Sequence, residues 1–177
     1  MGYVIQSAGL FPHLRLQENV AITPRLLGWE PARTQAQLTR LFDLIGLPLA
    51  DFGERFPSDL SGGQAQRIGL ARALAGEPDI ILMDEPFSAL DAMTKDILIE
   101  DVKRLRTEIG FAAVIVTHDF SEALRFADRI AVMDAGKIIQ TGPAHELMSA
   151  PANETVARLL EAPRRTAAAV SAAFERA

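Results

Sequence analysis

Along these 177 residues the hydrophobic positions change period several times, and each change marks an element. Residues 2–5 read as a short strand, and Ser7–Pro12 as a loop. Leu14–Leu27 mixes apolar and polar positions, which predicts partial helix broken near Pro24. Leu38, Leu41, Phe42 and Ile45 then recur at i, i+3, i+4 and i+7, the stripe of an amphipathic helix over 32–45. Gly46 and Pro48 stop it. A polar stretch, 51–59, precedes a helix over 65–75 with Ile68, Leu70, Ala71 and Leu74 for packing. Ile80–Met83 and Ala112–Val116 are unbroken apolar runs, which predicts strands buried on both faces of a sheet. Between them 92–107 is helical by pattern. Ser121 is expected to cap a short helix through Phe126. Two runs, Ile130–Met133 and Lys137–Gln140, flank Asp134-Ala135-Gly136 as a hairpin. Short helices follow at 144–148 and 153–161. Strands alternating with helices predict an α/β fold with a mainly parallel sheet.

Composition narrows the function. The net charge of -5 lends no support to nucleic-acid binding, which needs a basic footprint. The absence of cysteine removes disulfides, thiolate zinc sites and cysteine nucleophiles, and fits a reducing compartment. No stretch reaches the roughly 18–20 apolar residues that a membrane-spanning helix needs. The first residues lack a basic region followed by an apolar one, so no signal peptide is expected. Residues 162–177 are Ala-rich, with Arg164 and Arg165, and read as a frayed or disordered tail.

Three stretches carry candidate chemistry. Leu60-Ser61-Gly62-Gly63-Gln64 precedes a helix, so its backbone N–H groups and the helix field can receive an anion such as a phosphate. Ser61 and Gln64 can add side-chain hydrogen bonds. The plain alternative is a Gly-rich loop with Ser61 as a helix cap. Asp84 and Glu85 follow a buried strand and stand at the carboxyl edge of the sheet, where open α/β folds bind ligands. Asp84 suits a hydrated Mg²⁺, and Glu85 suits orienting a water that attacks a γ-phosphate. Two acids at a solvated strand end are the bland alternative. His118 ends a second strand and can donate to phosphate, although taken alone it reads rather as structural. Gln6, just after the first strand, and Asp91, in Ser88-Ala89-Leu90-Asp91, persuade only in company.

Their order supplies that company. Gln6, Leu60–Gln64, Asp84-Glu85, Ser88–Asp91 and His118 together resemble the ATP-binding cassette ATPase family. They match its Q-loop, signature motif, Walker B pair, D-loop and switch histidine in turn. The resemblance implies ATP and Mg²⁺, with Glu85, His118 and Gln6 catalytic and with Asp84 and Gln6 at the metal. It implies that Leu60, Ser61, Gly62, Gly63, Gln64 and Asp91 contact nucleotide. It further implies a P-loop NTPase-like α/β fold over residues 1–161, with an inserted α-helical subdomain at about 14–75. Gln6–His13 followed by Glu18-Asn19-Val20 resembles bacterial import cassettes, and Pro24–Trp29 is similar to their osmoprotectant branch, which takes up glycine betaine, choline, carnitine or proline. Expected partners are a second ATPase subunit paired head to tail, transmembrane permease subunits docked at Leu10–His13 and, indirectly, a solute-binding protein. The expected place is the cytoplasmic face of a bacterial inner membrane, with no nucleic-acid partner.

One family motif does not occur. G-x-x-x-x-G-K-[ST] is absent from these residues; Gly136-Lys137 is followed by Ile138. That loop supplies most of the phosphate grip. The chain therefore reads as an N-terminally truncated cassette, expected to hydrolyse ATP poorly or not at all by itself. Two alternatives stand beside an importer ATPase: a non-functional remnant, or a partner that supplies only the signature motif in trans. A chromosome-maintenance ATPase would need long heptad coiled coils, which the pattern lacks, and a ribosome-associated cassette would need basic linkers.

Overall fold

Residues 1–161 and Arg165 are described by the computed structural model. The chain divides into two compact units, Met1–Val116 and the segment from Thr117 onward. The expected tail, 162–177, lies outside the described residues except for Arg165, which pairs with Glu161 at 3.3 Å.

Three parallel strands organise the first unit: β1 (Gly2–Val4), β2 (Ile80–Asp84) and β3 (Ala112–Val116), in the order β1-β2-β3. Val4 pairs with Met83, and Asp84 with Val116, so all three carboxyl ends reach one edge. The excursion from β1 to β2 carries α1 (Leu16–Leu26), α2 (Pro31–Leu44), the short α3 (Leu49–Phe52) and α4 (Gly62–Leu74). α1 packs on α2, α3 and α4, and α4 lies against β1 and α5 (Ala92–Ile109). The predicted stripe Leu38, Leu41, Phe42 and Ile45 is buried.

Several local expectations change. Pro24 lies inside α1 rather than breaking it. It sits two residues before the last helical one, and Gly28, at φ +70°, turns the chain there anyway. The polar stretch 51–59 holds the second half of α3 and a 3₁₀ turn at Pro57–Asp59. α4 starts at Gly62, three residues earlier than periodicity indicates, because Ser61 and Gln64 form a capping box across the glycines. β2 is buried on one face only, and β3 on neither, its inward Ala113 and Ile115 being half-buried. Val4, Ile81 and Met83 face inward, and Val4 and Met83 meet Leu70 of α4 and Leu98 and Val102 of α5 around a small void. The opposite face leaves Tyr3 51%, Ile80 44%, Val114 52% and Val116 59% exposed. An unbroken apolar run specifies burial but not what supplies the second cover.

The second unit holds α6 (Phe120–Phe126), the antiparallel pair β4 (Ile130–Asp134) and β5 (Lys137–Gly142), α7 (Ala144–Ser149) and a helix at 154–161. Ile130, Val132, Leu147, Val156 and Leu160 form its core. Ala135 (φ +45°) and Gly136 (φ +76°) make the two-residue turn that matches strand twist. Asp119, not Ser121, caps α6, its Oδ1 accepting from Ser121 N at 2.9 Å. Both residues are good caps, and the carboxylate lies one residue ahead of the first helical turn.

Candidate functional site

The carboxyl edge of the parallel sheet gathers a polar cluster. Gln6 leaves β1 by two residues, and its Nε2 donates to Glu85 Oε2 at 2.9 Å and to Ser88 Oγ at 3.1 Å. The contact spans 79 residues of sequence. It exists because β1 and β2 are parallel neighbours in a register that ends both strands at one edge. Glu85 adopts φ +43°, a left-handed conformation unusual for a side chain with a Cβ. Its N–H donates to Val116 O at 2.8 Å, while Ser88 Oγ donates back to Glu85 O at 3.0 Å. The bend is thereby held from both sides. Such strain persists only where its surroundings over-determine it, and it concentrates at functional sites. Asp84, exposed, belongs to the sheet face opposite Met83.

Gly62 and Gly63 open α4. Ser61 Oγ accepts from Gln64 N at 3.3 Å, and Gln64 Oε1 accepts from Ser61 N at 3.0 Å. The two side chains expected to reach a ligand thus each accept from the other's backbone N–H, and the capping alternative describes them as they stand. The N–H groups of Gly62 and Gly63, in the first turn, have no intrahelical acceptor. A Cβ on Gly63 would stand 2.5 Å from Thr94 Cγ2 of α5, so glycine permits the two helix starts to touch. Asp91 caps α5, accepting from Thr94 N at 3.1 Å and Thr94 Oγ1 at 2.6 Å. Those bonds, the hydroxyl's first, hold its carboxyl below the ordinary carboxylate pKa.

Two groupings result: Gln6 with Glu85 and Ser88, and Gly62-Gly63 with the Leu90–Thr94 turn. His118 follows β3 by two residues, is exposed and belongs to the second unit. The donors fit a magnesium nucleotide in part. Asp84 and Glu85 offer carboxylate oxygens. The Nε2 of Gln6 is engaged, which leaves its amide oxygen as the atom to offer a cation, and Mg²⁺ favours hard oxygen donors with waters and phosphates. Among the described residues no group of three or more His, Cys, Asp or Glu forms a protein-only metal cage.

Two residues of the cluster's support escape a linear reading. Gln66 Nε2 donates to Gln6 O at 2.7 Å, and Arg72 donates to the carbonyls of Ala8 and Gly9. Burial lowers the Arg72 pKa. The available signal was a polar residue and a guanidinium six positions apart, under two turns, on a largely buried helix.

Residues 1–88 match the family described as ABC transporter. The chain is 47% identical over 156 residues to the glycine betaine/carnitine/choline transport ATP-binding protein OpuCA of Bacillus subtilis, covering 88% of this chain and 41% of that protein. Identity is 46% to the glycine betaine uptake system ATP-binding protein YehX of Escherichia coli, at 88% and 50% coverage. It is 42% to the osmoprotectant import ATP-binding protein OsmV of Salmonella typhimurium, at 88% and 41%. The chain thus spans half or less of the length of these relatives.

Proposed function

This chain belongs to the ABC transporter family, and we propose that it serves as an ATP-binding subunit coupling ATP hydrolysis to uptake of an osmoprotectant such as glycine betaine. The observation that carries the reading is the Gln6–Glu85–Ser88 cluster at the carboxyl ends of adjacent parallel strands. In this reading Glu85 accepts a hydrogen bond from the attacking water and turns its lone pair toward the γ-phosphate. Gln6 holds the Glu85 carboxylate through Nε2, and Asp84 with the Gln6 amide oxygen would hold Mg²⁺, which neutralises phosphate charge when bound. His118 would donate to the γ-phosphate and Asp91 would border the nucleotide. No G-x-x-x-x-G-K-[ST] occurs within these residues, and the 177-residue chain by itself is expected to turn over ATP poorly.

Exposure of Ser61 and Gly62 supports a second part of the reading, that this helix start closes over nucleotide held by a second cassette. The remaining partners are permease subunits met by Leu10–His13, of which Phe11 is 45% exposed, and a solute-binding protein reached through them. No helix among the described residues is long and apolar enough to cross a membrane, in keeping with a peripheral subunit on the cytoplasmic face.

Uptake of labelled glycine betaine tests the proposal in cells deleted for the gene and complemented with it. The wild-type gene should restore uptake, and Glu85→Gln should lower it by about 100-fold or more, the scale of losing a positioned base. Equal uptake with both genes would overturn the role of Glu85. Glycine betaine uptake left unchanged by deletion of the gene would overturn the substrate.

A further inference from the structure

On α4, Gln66, Gly69 and Arg72 recur every three residues and face one loop. Gln66, 5% exposed, donates from Nε2 to Gln6 O at 2.7 Å. Gly69 lets the loop close on the helix, since a Cβ there would stand 3.1 Å from Ala8 O and 3.3 Å from Ala8 Cβ. Arg72 Nη1 donates to Gly9 O at 2.6 Å and Nη2 to Ala8 O at 3.0 Å. What they hold is costly to form. Ala8 (φ +58°) and Gly9 (φ +56°) are consecutive left-handed residues, a conformation that alanine adopts only under constraint. Two consecutive carbonyls that converge on one fork suit a guanidinium, whereas an ammonium acts as a point charge.

We infer that Gln66, Gly69 and Arg72 are positioning residues that set the loop 6–9 and, through it, the place of the Gln6 amide against Glu85. The same helix begins at Ser61–Gln64, so a displacement of that helix start is transmitted to Gln6 along one rigid element. The geometry stands without nucleotide; only what Gln6 does in turnover rests on the reading above.

The test is amide hydrogen exchange and NMR on the ¹⁵N-labelled 177-residue chain. The Gln6 side-chain NH₂ pair is assigned by its loss in Gln6→Ala. In Arg72→Met, amides of residues 6–9 should exchange at least about tenfold faster, a loss of roughly 1.4 kcal/mol of local protection. The Gln6 pair should move toward the position of a solvated amide, while β2, β3 and α5 exchange as in wild type. Arg72→Lys, which keeps the charge but not the fork, should recover part of both effects. Gln66→Leu gives a second arm that does not depend on Arg72→Met folding. Gln66 Oε1 is buried without a hydrogen-bond partner, so leucine removes an unsatisfied atom together with the donor. It too should shift the Gln6 pair. An unmoved Gln6 pair and unchanged exchange at 6–9 in Gln66→Leu would overturn the inference, as would exchange that rises evenly over the whole chain in both variants. Neither readout uses ATP, so loss of the transport reading and loss of this inference are separate results.

Discussion

At the scale of the residue, Glu85 shows how chemistry and stability oppose one another. Its φ of +43° puts a Cβ where the left-handed region penalises one, by about 1–2 kcal/mol. The bend is retained because Val116 O and Ser88 Oγ hold its two backbone groups. Glu85→Gly should therefore raise stability by roughly 1 kcal/mol, read as a higher urea midpoint at unchanged slope, while Gln6 loses its acceptor. A lower midpoint would mean that the Gln6–Glu85 bond outweighs the strain. Both acids were legible in the sequence from their place after an apolar run. The conformation of Glu85, and the hydrogen bond that Ser88 accepts from Gln6, were not. The first depends on β3 lying beside β2, since Val116 O of β3 receives the Glu85 N–H. The second depends on β1 lying beside β2, which brings Gln6 to residues at least 79 positions away.

Elements were read well where one face of a helix carries the signal. The helix predicted over 32–45 is α2, with all four stripe residues buried. Ends were read less well, because caps compete. Asp119 displaced Ser121 at α6, and the Ser61–Gln64 box drew the two glycines into α4. The cap of α5 carries a pH dependence. Hydrogen bonds from the Thr94 hydroxyl and N–H depress the Asp91 pKa, so the ionised form is favoured more in the folded chain than in the unfolded one. Its contribution is complete above the ordinary value of 3.8 and disappears as pH falls through the depressed one. Asp91→Asn keeps an acceptor but no titration. Urea titrations at about pH 6 and about pH 3 should show a smaller loss of stability for Asp91→Asn than for wild type. Equal losses would remove Asp91 from the acid response.

At the scale of the molecule, the open sheet face has a measurable consequence. Tyr3, Ile80, Val114 and Val116 share one face of the β1-β2-β3 sheet, each more than two-fifths exposed. A contiguous apolar face of this kind promotes association in a soluble chain. The 177-residue chain should enhance the fluorescence of a hydrophobic dye, and Val114→Thr with Val116→Thr should lower that signal without shifting the urea midpoint by more than about 0.5 kcal/mol. A midpoint that falls with the dye signal would place those valines in a packed core.

The order of Gln6, Leu60–Gln64, Asp84-Glu85, Ser88–Asp91 and His118 was determined by sequence, and with it the family, because short motifs accumulate meaning along a chain without reference to space. Hydrophobic period likewise determined most helices and strands, since it records which local face meets a core. Tertiary structure decided three other matters: which face of the sheet is covered, that Gln6 donates to Glu85, and that α4 grips the loop 6–9 through Gln66 and Arg72. All three are contacts between distant segments. Their energies belong to pairs of residues whose neighbourhood exists only once the parallel strands have aligned.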